Sequence, residues 1–91
     1  MTKNISLHCI IIGKVQGVYY RAFTQQKAIE LGLTGWVRNL QNGDVEAFIS
    51  GPETLVQKML KWLYSGPTQA KVSAIHTQEV LYQPFANFEI R

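Results

Sequence analysis

The sequence predicts an α+β sandwich in which two helices pack on one face of a mostly antiparallel sheet. Segments rich in β-branched or alternating apolar residues flank two segments with helical spacing, and short connections join them. The predicted order is strand, helix, strand, strand, helix, strand and a short last strand. The 91 residues, 46% of them hydrophobic, suffice for one core and not for two, so we expect one domain over residues 1–91.

The first strand is predicted over residues 5–12, because this β-branched run ends at Gly13. Its continuous apolar character indicates a strand buried on both faces in the middle of the sheet. The first helix is predicted over residues 20–31, with Gly32 as its C-terminal stop. The residues that fall on one helical face and dock it on the sheet are Tyr20, Phe23, Thr24, Ala28 and Leu31.

Residues 35–40 and 44–50 are predicted to form a hairpin, and two registers fit its turn. A two-residue turn would place Arg38 opposite Ala47 and would mix polar with apolar residues on both faces. A three-residue loop with Gly43 in the left-handed conformation keeps the two kinds of residue apart, and this is the register we adopt.

In this register Arg38 meets Glu46 as a cross-strand surface pair, worth less than about 1 kcal/mol. Trp36 meets Phe48, and the two rings are expected to cover the open face of the sheet. Asn39 points to the face that carries the helices, where its amide needs a polar partner. Since an asparagine at a strand end often bonds the backbone of a nearby loop, spacing alone leaves open whether Asn39 is structural or catalytic.

The second helix is expected after Gly51, with Pro52 in its first turn and residues 65–67 as its stop. Its broad apolar face comprises Leu55, Val56, Met59, Leu60, Trp62 and Leu63. Residues 71–82 alternate as a strand, and residues 85–90 form a short last strand. This order of elements is that of a ferredoxin-like β-α-β-β-α-β sandwich with an extra C-terminal strand.

Residues 13–21, which we call the cradle, form the candidate functional element. They join an apolar strand to a helix through Gly13 and Gly17 and end at Arg21. Glycines let successive N–H groups converge, the helix start adds partial positive charge, and a guanidinium supplies a planar fork of donors. Such a turn suits a phosphate group. Taken alone, the same spacing also fits an ordinary connection with a surface arginine.

Composition narrows the class of partner. The net charge is +3 and the sequence pI about 9.2, but the nine Lys and Arg are scattered. This pattern favours a small anion over a nucleic acid, which needs a continuous basic surface. The single cysteine, Cys9, allows no intrachain disulfide, and the N-terminal apolar run is short and interrupted by His8. We therefore expect a cytoplasmic protein with no nucleic-acid or membrane partner.

Ferredoxin-like domains also bind RNA and metals, so the fold alone does not settle the function. An RNA-binding domain needs two or three stacking aromatics, whereas the third predicted strand offers only Phe48, beside the acidic Glu46. A metal-trafficking domain needs a Cys-x-x-Cys pair, and Cys9 stands alone. His8 and His76 are interpreted as strand histidines, and no metal site is expected.

Four motifs follow one another at a specific spacing. They are Gly13-Lys14-Val15-Gln16-Gly17-Val18-Tyr19-Tyr20-Arg21, Gly32-Leu33-Thr34-Gly35-Trp36-Val37-Arg38-Asn39, Gly43-Asp44-Val45-Glu46-Ala47 and Gly51-Pro52. Together they resemble the acylphosphatase family, and the resemblance runs from Leu7 to Arg91. It implies an enzyme that hydrolyses the carboxyl–phosphate bond of acyl phosphates without a cofactor or a metal.

The resemblance also implies the residues of the site. Arg21 corresponds to the phosphate-binding arginine of the family and Asn39 to its water-positioning asparagine. The backbone cradle corresponds to Val15, Gln16, Gly17, Val18, Tyr19 and Tyr20. The implied partner is a small-molecule acyl phosphate, and inorganic phosphate or sulfate is expected to fit the same loop in a monomeric protein.

One class contrast stays open, because acylphosphatase-like domains also occur as modules of larger proteins. For a chain of this length we expect the free-standing enzyme rather than a binding module. The sequence departs from the family pattern at Tyr20, where phenylalanine is common, and at Leu40, where some members carry threonine. Neither position carries a side chain with an implied catalytic role.

Overall fold

The computed structural model describes residues 3–91 of the chain. The elements within this range are β1 (Asn4–Lys14), α1 (Tyr20–Glu30), β2 (Thr34–Asn39), β3 (Val45–Pro52), α2 (Glu53–Ser65), β4 (Lys71–Val80) and β5 (Phe88–Ile90). No helix among these residues is both long enough and apolar enough to cross a lipid bilayer.

The strands form one sheet in the order β4-β1-β3-β2-β5. β1 pairs antiparallel with β3 and β4, β2 pairs antiparallel with β3, and the short β5 lies parallel to β2 at the edge. α1 packs over β2 and β5, and α2 packs over β1, β3 and β4. The predicted ferredoxin-like α+β sandwich with a short extra C-terminal strand is therefore confirmed.

The hairpin has the register that the side-chain pattern favoured. Arg38 lies opposite Glu46, and Asn39 lies opposite Val45. The N–H of Leu40 donates to the carbonyl of Asp44 at 2.8 Å, which closes the three-residue loop, and Gly43 has a φ of +99°. Val45 is fully buried under the helices. Asn39 thus ends β2 on the helix-bearing side, as predicted.

β1 is buried along its length on one face only; on the other face Ser6 is buried but the residues after it are not. Leu7, Cys9 and Ile11 are in the core, whereas His8 and Ile10 on the opposite face are only half-buried. The prediction of burial on both faces was wrong because both helices pack on the same side of the sheet. The position between two neighbouring strands was correct.

The ends of several elements differ from the prediction. Pro52 is the last residue of β3 rather than part of the first turn of α2, because the strand pairing continues to this residue. β4 ends at Val80 because Gln83 turns to a different partner: its N–H donates to the hydroxyl of Ser6, and its carbonyl accepts from the hydroxyl of Ser50. The last strand begins at Phe88 rather than at residue 85, as the sequence had predicted.

The open face of the sheet carries a charged cluster that the sequence predicted in part. Glu46 pairs with Arg38 as expected, but His8 Nε2 also lies 2.6 Å from Glu46 Oε2. Burial of this carboxyl, whose side chain is 13% exposed, by itself raises its pKa. Hydrogen bonds from His8 and Arg38, together with their charges, outweigh burial and hold the pKa of Glu46 below its usual range. The expected surface pair is thus a three-residue network.

Aromatic rings cover the neighbouring part of the open face. Trp36 and Phe48 stack with their centroids 6.0 Å apart, and Phe85 meets Phe48 edge-on at 5.3 Å. The guanidinium carbon of Arg91 lies 5.2 Å from the centroid of Trp36. The prediction that Trp36 and Phe48 cover this face is confirmed.

Candidate functional site

The cradle begins with a close approach between two strands. Gly13 has a φ of +141°, and a Cβ at this position would collide with the carbonyl oxygen of Lys71 on β4. Gly17 and Tyr19 take left-handed conformations, with φ of +74° and +62°. A left-handed residue beside one of ordinary conformation turns their N–H groups toward the same side, which gives the concave backbone arrangement that is able to bind anions.

The backbone donors of this turn are free. Among residues 3–91, no hydrogen bond is donated by the N–H groups of residues 16–22. α1 begins here, its N-cap Tyr19 offers no side-chain cap, and its first turn contains no acidic residue. The start of α1 therefore presents unpaired donors and partial positive charge to whatever lies in front of it.

A depression of about 370 Å³ opens in front of these donors. Its lining residues are Val15, Gln16, Gly17, Tyr19, Tyr20, Arg21, Ala22, Asn39 and Ile90. The structure thus brings together the predicted site residues at one place with a single exception. Val18 is not among the lining residues, because it is 5% exposed and belongs to the core; its predicted role concerned only its backbone N–H.

Arg21 lies in the first turn of α1 and forms no ion pair with any other residue of the range 3–91. The preceding residue fixes this turn: Tyr20 is 1% exposed, and its hydroxyl donates to the carbonyl of Leu63 at 2.6 Å. Burial raises the pKa of Tyr20 well above its usual value, so the hydroxyl stays a donor. The departure from the family pattern at this position thus supplies an extra tie between the two helices.

Asn39, which lines the depression, carries an unusual polar atom. Its Oδ1 is buried and has no hydrogen-bond partner, and it is the only side-chain oxygen or nitrogen in this state among residues 3–91. An unpaired buried acceptor costs about 1–3 kcal/mol, so this oxygen is a potential acceptor that the described residues leave unused. The structural alternative, in which this oxygen bonds the backbone of a nearby loop, is not what the structure shows.

The side chain of Gln16 was missed as a site element. Its Nε2 donates to the carbonyl of Leu40 at 2.7 Å and to the carbonyl of Asp44 at 2.8 Å, the two residues that close the hairpin loop. Gln16 therefore ties the cradle to the end of β2, directly after Asn39. The sequence carried no signal for this contact because the partners lie on a different element and are backbone atoms.

The chemistry of the lining is restricted. Arg21 is the one residue of the lining with a charged side chain, and the lining contains no carboxylate, imidazole or thiol. No three His, Cys, Asp or Glu side chains within residues 3–91 are grouped to hold a metal ion. Convergent N–H groups, a guanidinium and an unpaired amide oxygen can bind a tetrahedral anion and orient one water beside it.

Fold and site together define a ferredoxin-like α+β protein with a concave turn of unpaired N–H groups between its first strand and first helix. Comparisons with known proteins give its family. The family model for acylphosphatase matches residues 7–90. The acylphosphatase of Colwellia psychrerythraea is 49% identical over 87 residues, which cover 96% of this chain and 98% of that protein. The acylphosphatase of Nitrosococcus oceani is 46% identical over 85 residues, with coverage of 93% and 96%.

The structure of an acylphosphatase from Coxiella burnetii is also similar, with a TM-score of 0.93 at 40% identity. The superposition covers 97% of this chain and 93% of that chain. The chain belongs to the acylphosphatase family, which confirms the resemblance found in the sequence. Family membership at this identity supports an acylphosphatase, an enzyme that hydrolyses acyl phosphates.

Proposed function

We propose that this protein hydrolyses acyl phosphates to a carboxylate and inorganic phosphate by a metal-free, in-line attack of water. One observation carries the mechanism: Arg21, the cradle and Asn39 line the same depression, and within residues 3–91 the guanidinium, the N–H groups of residues 16–22 and the buried amide oxygen of Asn39 have no partner. The guanidinium and the N–H groups are donors for the oxygens of a phosphoryl group. The amide oxygen is an acceptor for a hydrogen bond from a water molecule.

Arg21 and the backbone of the cradle hold the phosphoryl oxygens. The guanidinium presents two parallel donors, and the N–H groups of residues 15–20 surround the remaining oxygens. Charge spreads over these oxygens in the transition state, so preorganised donors lower the barrier without having to rearrange. Inorganic phosphate and sulfate have the same tetrahedral shape and are expected to occupy the cradle as inhibitors.

Asn39 positions the attacking water, which donates a hydrogen bond to its free Oδ1. The oxygen of the water bonds to phosphorus while the bond from phosphorus to the acyl oxygen breaks and its electron pair departs with the carboxylate. The proton of the water passes to an oxygen of the substrate's own phosphate. A carboxylate is a stable anion and leaves without protonation, so positioning and charge stabilisation suffice.

We further propose that the chain acts as a monomer on a small-molecule substrate in the cytoplasm. Every residue to which we assign a role in the reaction lies in one depression of the single fold. Cys9 is free and fully buried, and burial raises the pKa of its thiol to about 12, so it stays protonated and unreactive at neutral pH.

Substrate selectivity tests the proposed reaction. Acetyl or benzoyl phosphate should be hydrolysed at least about a hundredfold faster than phenyl phosphate or an alkyl monoester, because general-acid assistance to a poor leaving group is worth about that much and the site supplies none. Release of inorganic phosphate, followed with and without EDTA, measures both points, and EDTA should change nothing. Comparable turnover of a monoester, or loss of activity in EDTA, would contradict the mechanism.

A second expectation concerns Gln16 as a positioning residue. Gln16→Ala should lower kcat about tenfold and stability by about 1–2 kcal/mol, since two hydrogen bonds between the cradle and the end of β2 are lost. Gln25→Ala is the matched control: Gln25 Nε2 donates to the carbonyl of Phe88 at 3.0 Å, away from the cradle. This control should lose stability and keep its kcat. Equal rate effects in the two variants would remove Gln16 from the positioning of the site.

A further inference from the structure

Two lysines lie side by side where β1 runs into the cradle. Lys14 is the last residue of β1, and the antiparallel register places it directly opposite Lys71, the first residue of β4. Both residues are exposed, and neither forms an ion pair with any other residue in the range 3–91. Like charges on directly opposed strand positions are destabilising. The fold therefore keeps two positive charges together at a cost to its stability.

This pair of lysines lies at the end of the sheet that carries the candidate site. The end of β1, the start of β3 and β4, and the end of β2 meet there, and α1 begins there because it follows β1. Arg21, in the first turn of α1, is a third cation without an ion pair at this end, and Asp44, just before β3, is the acid without one. The other charges near this end cancel in ion pairs, namely Arg38 with Glu46 and Arg91 with Glu89.

The opposite end of the sheet carries the remaining acidic side chains. Glu30 ends α1, Glu53 begins α2, and Glu79 lies near the end of β4. The cations close to them are engaged, because Lys3 pairs with Glu79 and Lys27 pairs with Glu30. Positive charge is thus concentrated at the end that holds the cradle. Such an uneven distribution creates a field that draws an anion toward one end of a molecule before contact.

The two lysines are placed to act at a distance and not as ligands. Neither Lys14 nor Lys71 is among the residues that line the depression in front of the cradle. Attraction from outside a site stabilises a bound anion equally in the ground state and in the transition state, so it lowers KM and leaves kcat unchanged. The attraction also weakens with salt, because dissolved ions screen charges over about 10 Å at 0.1 M.

We propose that Lys14 and Lys71 form an electrostatic guide that draws the phosphate group of the substrate toward the cradle. This inference rests on the proposed function and deepens it, because it adds two residues that favour capture of an anionic substrate without contacting the reacting atoms. A gain in capture also gives a use for two adjacent like charges that the fold alone does not favour.

The test measures kcat and KM for acetyl phosphate in sodium chloride from about 0.01 to 0.5 M, over which the screening length falls severalfold. The variant Lys14→Gln/Lys71→Gln removes the guide, and Lys14→Arg/Lys71→Arg keeps its charge. Lys58→Gln/Lys61→Gln is the matched control, because it removes the same charge from two exposed lysines without an ion pair among residues 3–91. These two lysines line a groove with Leu31, at the end of α1 far from the cradle.

At the lowest salt the variant without the guide should have a kcat/KM about fivefold below that of the native protein, through KM, with kcat unchanged. The inhibition constant of inorganic phosphate should rise by a similar factor, and both differences should vanish at the highest salt. The arginine variant and the control should stay within about twofold of the native protein at every salt concentration.

Three results would overturn the guide in a protein that hydrolyses acetyl phosphate. They are the lack of any deficit at low salt, a deficit that does not shrink as salt is added, and an equal deficit in the control. A loss of kcat in the variant without the guide would place the lysines in the chemical step instead, and would equally contradict the inference. Failure of the native protein to hydrolyse acetyl phosphate would overturn the proposed function itself.

Discussion

Arg21→Lys should lose nearly as much activity as Arg21→Ala, with kcat/KM for acetyl phosphate falling by at least about a hundredfold in both. An ammonium is a compact point charge and cannot present the two parallel donors that bridge a pair of phosphoryl oxygens. Arg21 makes no ion pair with any other residue in the range 3–91, so its replacement breaks no ion pair of the fold. The loss of activity therefore measures the loss of contacts with the substrate. Because Arg21 contacts the anion before and during the reaction, binding and rate should fall together.

Inhibition by inorganic phosphate supplies the second readout for Arg21. The inhibition constant should rise sharply in both variants, and the thermal midpoint should stay close to that of the native protein. Arg38→Lys serves as the matched control, because Arg38 pairs with Glu46 on the open face of the sheet, away from the cradle. Native-like inhibition of Arg21→Lys by phosphate would show that the guanidinium is not the principal ligand of the anion.

The parts of the fold that the sequence predicted best were those encoded by neighbouring residues. The hairpin register followed from matching Arg38 with Glu46 and Trp36 with Phe48, because a slip of one residue would have mixed polar and apolar residues on each face. The burial of β1 was predicted less well. An apolar run such as residues 5–12 does not tell whether helices will cover one face or both, which depends on where the distant helices dock.

The candidate site was likewise predicted where its residues are close in the sequence and missed where they are distant. The cradle was visible in the sequence because Gly13, Gly17 and Arg21 lie within one short segment, and the roles of Arg21 and Asn39 came from the resemblance to a family. The contacts of Gln16 with the hairpin loop and the exposure of Phe23 depend on elements that meet only in the folded chain. Helical spacing placed Phe23 on the buried face of α1, but the packing of this helix against the sheet leaves the residue 45% exposed.

Asn39→Ala should lower kcat for acetyl phosphate by about a hundredfold or more, in line with other losses of a positioning or charge-stabilising group. The effect should fall on rate and not on anion binding, because the amide orients the water whereas Arg21 and the backbone hold the phosphoryl group. Inorganic phosphate should therefore inhibit this variant at nearly native concentrations. This split between rate and inhibition distinguishes Asn39 from Arg21.

The stability of the Asn39→Ala variant separates the catalytic role from a structural one. Since Oδ1 of Asn39 has no partner in residues 3–91, truncation removes an unpaired buried acceptor that costs about 1–3 kcal/mol and breaks no bond made by that oxygen. The thermal midpoint should consequently hold or rise. Asn42→Ala is the matched control in the same hairpin, because its Oδ1 accepts from the N–H of Asp44 at 3.0 Å; it should lose some stability and keep its kcat. An unchanged kcat in Asn39→Ala would remove this residue from the mechanism, and a rate loss accompanied by a collapsed melting transition would assign it a structural role instead.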